Sequence, residues 1–130
     1  MPVATDLRFT DTCLLEALNT ASDEALDALE FGVIGFDSAG KVQRYNRFES
    51  QAAGLSMPRV LGHALFTVVA PCMNNFLVAQ RFEDVAADGS TLDATIDYVL
   101  TLRMRPVKVR LRLMAAPDSA MRYVLVQRSL

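Results

Sequence analysis

Apolar and polar positions change their period several times along the chain, and each change marks an element. Leu14, Leu15 and Leu18 share one face of a helix predicted over 11–18, and Leu26 and Leu29 share a face of a second over 23–29. Ser22 is a good N-cap for the second, with Ala25 standing where a capping box would have glutamate. The pair reads as an apolar-faced lid packed on something larger. From Phe31 to Asp37 the residues turn β-branched and aromatic; Ser38-Ala39-Gly40 is a turn, and Lys41 to Asn46 alternates, so a β-hairpin is expected. Asn46 can cap a helix over 47–53, which Gly54 ends as a left-handed residue. A shorter helix begins at Ser56-Met57-Pro58 and closes at Gly62, and residues 63–75 form a crossing with little helical period. Helical spacing returns over 76–87, with Leu77, Phe82, Val85 and Ala86 available to a core, until Asp88-Gly89. Three strands are predicted over 94–102, 107–114 and 121–127. In the middle one, Val107, Val109, Leu111 and Leu113 alternate with Lys108, Arg110 and Arg112, giving one core face and one wet, cationic face.

Five antiparallel strands, two before and three after a helical crossing, make an α+β sensor-type architecture, the PAS arrangement, with an apolar pocket between sheet and crossing. A length of 130 residues supports one core. Within that one compact domain, residues 1–30 are expected to form a helical N-terminal cap and 31–130 the PAS core. With 52% apolar and 22% charged residues the composition is globular, and a net charge of −2 supplies no global field for nucleic acid. The basic residues of the last third read as a solvated sheet face. The N-terminus lacks the pattern of a signal peptide and no apolar run reaches membrane-spanning length, so a cytoplasmic protein with no nucleic-acid or membrane partner is expected. Two cysteines, Cys13 and Cys72, read as free thiols, Cys13 packing in the lid, and one histidine, His63, leaves no zinc constellation.

Candidate chemistry starts at Pro71-Cys72, which ends the apolar run Val68-Val69-Ala70. Taken alone, such a cysteine is an ordinary small core residue. Tyr45 and Glu49 stand four apart across a helix start, where their side chains can meet on one face, although residues so spaced are ordinarily surface groups. A thiol enzyme pairing Cys72 with His63 is disfavoured because no third, orienting residue is evident, and haem ligation by His63 is disfavoured likewise.

The combination is sharper than its parts. Tyr45-Asn46-x-x-Glu49, Val69-Ala70-Pro71-Cys72, Tyr98 and Met104-x-Pro106-x-Lys108-Val109 occur in order, with Phe31-Gly32, Val60-x-Gly62, Leu65-Phe66 and the closing Tyr123 to Val126 segment. This set resembles the photoactive yellow proteins, bacterial blue-light sensors of PAS fold, from about Asp23 to the C-terminus. The resemblance implies a non-enzymatic photoreceptor carrying p-coumaric acid (trans-4-hydroxycinnamic acid) as a thioester on Cys72. It makes Tyr45 and Glu49 hydrogen-bond donors to the phenolate, and puts Phe66, Tyr98 and Met104 in the pocket. Glu49 is then a neutral acid whose proton passes to the phenolate after isomerisation, leaving an unpaired buried carboxylate that releases the N-terminal cap. Ala53 and Leu55 stand where the family usually has threonine and arginine; they imply a more apolar pocket, with Arg103 or Arg105 as other sources of a cationic lid. The output is expected to pass to a separate downstream signalling protein from a monomer or weak dimer. The alternative is a PAS sensor or interaction domain binding another small ligand or none.

Overall fold

The computed structural model describes residues 8–12, 14–101 and 106–128. Two short helices, α1 (Leu14–Thr20) and α2 (Asp23–Asp27), precede a hairpin of β1 (Gly32–Phe36) and β2 (Val42–Tyr45). The crossing comprises α3 (Arg47–Ala53), α4 (Met57–Val60), a π-helical turn (Leu65–Val69) and a 3₁₀ turn (Pro71–Met73). Helix α5 (Ala79–Asp88) leads into β3 (Leu92–Leu100), β4 (Val107–Ala115) and β5 (Arg122–Arg128). All pairings are antiparallel and the strand order is β2-β1-β5-β4-β3, so the last strand closes the sheet against the first.

Strand alternation divides the interior into two cores, one on each face of the sheet. Ile34, Phe36, Val109, Leu111, Leu113, Val124 and Val126 meet the crossing and α5 through Tyr45, Val60, Leu65, Val69, Ala70, Met73 and Phe82. On the opposite face Val33, Met114, Tyr123 and Leu125 meet Phe9, Leu14, Leu18, Leu26, Leu29 and Phe31. The helices before the sheet therefore cover its second face.

That cover corrects the expected wet face of β4. Lys108 and Arg110 are exposed, but Arg112 and Met114 are buried. The Arg112 guanidinium meets Asp93 through two hydrogen bonds, of 2.8 and 2.9 Å, and donates to the Phe9 and Asp11 carbonyls. Arg44 holds α1 and α2 in the same way, donating to the Leu18 and Ala21 carbonyls and to Asp23.

Other boundaries move for local reasons. Helix α1 begins at Leu14, because Asp11 is spent on a turn with Arg8. Helix α5 begins at Ala79, three residues later than its spacing predicts, because Asn75 accepts from Leu77 and Val78 N–H and ties this stretch into a loop. Leu77 is consequently exposed, as is Ala86, against the expectation for both. The terminal glycines of α3 and α5, Gly54 and Gly89, have φ of 74° and 69°.

Candidate functional site

Tyr45 ends β2 and Glu49 lies in the first turn of α3, and the residue after Tyr45 fixes the relation between them. Asn46, 1% exposed, uses every hydrogen-bonding position of its amide. Its Oδ1 accepts from Val33 N at 3.0 Å and Glu49 N at 3.1 Å; its Nδ2 donates to the Leu26 and Phe31 carbonyls at 2.8 and 2.9 Å. The start of α3 is thereby riveted to β1 and to the chain before it, which turns Glu49 inward.

Glu49 is 2% exposed and its carboxylate lies directly against β1. A Cβ at position 32 would stand 2.0 Å from its Oε1, so only glycine leaves room there. Arg128, the last residue of β5, meets this carboxylate with both arms of its fork: Nη1 to Oε1 at 2.6 Å and Nη2 to Oε2 at 3.2 Å. Arg128 shares its face of the strand with Val124 and Val126. Burial pushes the Glu49 carboxyl above the usual carboxylate range, opposed by the hydrogen bonds and charge of Arg128. Tyr45 is buried too. Desolvation first, then the negative charge of Glu49, raises its phenol above the ordinary value, while Arg128 acts the other way. Tyr45 and Glu49 are thus electrostatic neighbours, and among the described residues the hydrogen-bond partner of Glu49's carboxylate is Arg128, not Tyr45.

Cys72 sits half-buried in the 3₁₀ turn and packs on the same apolar cluster as Tyr45. Tyr98 reaches across from β3, its hydroxyl donating to the Cys72 carbonyl and accepting from Asn75 Nδ2. Phe66 stands edge-on to Phe36, ring centroids 5.5 Å apart, and beside Phe82. Leu55 packs against this cluster and Ala53 is buried. Cys72, Tyr45, Glu49, Phe66 and Tyr98 therefore share the crossing side of the sheet. Met104, Arg103, Arg105 and Cys13 lie outside the described residues. His63 is exposed.

Reading the sequence missed Arg128, because the last strand was expected to stop at residue 127. Continuing its alternation by one step would have set a cation in register with Val124 and Val126, on the core face, where a buried acid partner is required.

No family model matches the chain. It is, however, 30% identical over 122 residues to the photoactive yellow protein of Rhodothalassium salexigens, the match spanning 94% of this chain and 97% of that relative. The chain belongs to the photoactive yellow protein family. The photoactive yellow protein of Halochromatium salexigens is similar at 33% identity, covering 86% of this chain and 89% of that one. Among solved structures, the photoactive yellow protein domain of the sensor histidine kinase Ppr from Rhodospirillum centenum superposes with a TM-score of 0.79 at 36% identity, covering 87% of this chain and 98% of that one. The PAS domain of the Cronobacter turicensis quorum-sensing receptor RpfR has the same fold, with a TM-score of 0.59 at 17% identity over 78% of this chain and 95% of that one. The fold is the PAS fold.

Photoactive yellow proteins imply a chromophore, and this donor set fits one. A half-buried thiol borders an apolar cluster containing Phe66 and Tyr98, and two buried protic side chains with a guanidinium beside them occupy the same side of the sheet. An acyl link, a flat apolar body and an acidic oxygen would each meet suitable chemistry there.

Proposed function

We propose that this protein is a blue-light receptor in which Cys72 carries p-coumaric acid as a thioester, with Tyr45 and Glu49 directed to the phenolic oxygen. The observation that supports this best is the collection of Cys72, Tyr45, Glu49, Phe66 and Tyr98, from separate elements, on one side of the sheet. When bound, the group supplies blue-light absorption and the isomerisation that follows.

The chain's own residues divide the remaining work. As a thiolate, Cys72 attacks an activated acyl donor, forming the S–C bond as the leaving group departs. Tyr98 holds the Cys72 turn through its carbonyl, and Phe66, Leu55 and Ala53 contribute apolar surface that excludes water. Glu49 in its protonated form and Tyr45 donate hydrogen bonds to an anionic oxygen, which in an apolar interior costs several kcal/mol without donors. Loss of the Glu49 proton to a bound phenolate would place negative charge at the helix start that Asn46 ties to the N-terminal segment, and release of that segment is the proposed signal. A separate cytoplasmic signalling protein would receive it from a monomer or weak dimer. Met104 belongs to the proposed pocket by its motif alone.

Mixing the purified protein with an activated p-coumaric ester tests the reading. A yellow product heavier by one p-coumaroyl group is expected, and Cys72→Ser should take up none. A colourless, unmodified product, or colour that survives Cys72→Ser, would overturn it and favour a PAS domain with another ligand or none.

A further inference from the structure

The Glu49 carboxylate and the Arg128 guanidinium come from positions 79 residues apart and meet through two hydrogen bonds, with Glu49 buried and the Arg128 side chain 18% exposed. Bidentate contact of this kind is the geometry of an ionised carboxylate. Removing either partner from a pair so placed strands the other in low dielectric. Among the described residues, Arg128 from β5 is the charged side chain that acts on Glu49, and the titratable neighbour from β2 is Tyr45.

Charge balance then constrains the proposed light receptor, and the inference rests on that reading for its second half. With no anionic ligand, Glu49 and Arg128 neutralise each other. With a phenolate present and Glu49 protonated, Arg128 balances the phenolate. Were the proton to leave a Glu49 oxygen and bond to the phenolate oxygen, the charge would return to Glu49, where Arg128 already stands. The three groups together remain neutral at each stage. We propose that Arg128 is the positioning residue for the pocket proton: it is the resident counterion of Glu49, so that deprotonation forms an ion pair in place of an unpaired buried charge.

Infrared titration of the pigment-free protein tests this directly, with the Glu49 carboxyl band assigned by its loss in Glu49→Gln. Arg128→Gln should raise the protonation midpoint by one pH unit or more, a tenfold or larger change in proton affinity, and Arg128→Lys should recover part of that shift. Equal midpoints in the wild type and Arg128→Gln would overturn the proposal. If Arg128→Gln does not fold, Arg128→Lys decides alone: exchanging a two-point fork for one ammonium must raise the midpoint measurably, and an unchanged midpoint overturns the proposal. In the pigment-loaded protein, Arg128→Gln should shorten the lifetime of the light-formed state with ionised Glu49 at least tenfold, and an unchanged or longer lifetime counts against the proposal. A protein that accepts no pigment yet shows the midpoint shift would refute the light-receptor reading while supporting the role of Arg128.

Discussion

Single side chains at this site are held by stereochemical constraints that make their substitution costs distinguishable. Replacing Gly32 by alanine sets a Cβ 2.0 Å from Glu49 Oε1, and because both β1 and the paired carboxylate are fixed, the clash cannot relax by a rotamer change alone. A loss of about 2–4 kcal/mol is expected in denaturant unfolding, together with a higher Glu49 midpoint if the carboxylate is forced from Arg128. Asn46→Ala removes an N-cap, strands the buried Phe31 carbonyl and the Val33 N–H, and leaves the Leu26 carbonyl with Leu29 N–H alone, so about 3 kcal/mol should be lost. The capping role of Asn46 was legible in the sequence, since asparagine before a helix accepts from the first turn. Its two donor bonds were not, because they go to carbonyls 15 and 20 residues earlier that no local pattern identifies. The same limit hid the ion pair, whose members become neighbours only when the last strand closes against the first.

At the level of elements, hydrophobic period located the strands and the longer helices because each has an apolar face to bury. It misplaced the start of α5, where Asn75 side-chain bonds override helical spacing, and left 63–75 without regular structure, where a π turn and a 3₁₀ turn have periods that a 3.6-residue template does not register. It also set Arg112 in water. A strand's polar alternate face is ambiguous in sequence, because a buried arginine clasping carbonyls and a solvated one produce the same pattern. That clasp supports a prediction about the helices before the sheet. Arg112→Ala should cost about 2 kcal/mol and quicken amide hydrogen exchange over 8–12 and 14–29 more than in β1 or β5. The hydrogen bond from Arg112 is the leading cause that holds the Asp93 carboxyl below the usual carboxylate range, with burial acting against it. Its contribution is therefore complete above the unfolded value of about 4 and fades as pH falls through the lower native value. Protection of the N-terminal segment, measured against the intrinsic exchange rate at each pH, should fall in acid in the wild type, and much less in Asp93→Asn, where the ion pair is already gone.

Across the whole molecule, the sheet is a shared wall with β5 at its centre, between β1 and β4. Residues of β5 point alternately into the two cores: Tyr123 and Leu125 towards the N-terminal helices, Val124, Val126 and Arg128 towards the site. Amides of Val124 and Val126, in a strand flanked on both sides, should exchange only on global unfolding, whereas amides of α1 and α2 should open at lower cost. A tyrosine-to-solvent route for the signal would have to cross this wall, but Asn46 goes around its edge. One amide group grips the Leu26 and Phe31 carbonyls with its nitrogen and the first turn of α3 with its oxygen. Coupling through such a joint is reciprocal: whatever factor Glu49 deprotonation adds to the availability of the N-terminal helices, a protein that captures those helices adds to the acidity of Glu49. In the proposed light receptor, a protein that receives the signal would therefore be visible from the sender's side, as a change in the colour and dark recovery of the bound pigment when that protein is titrated in.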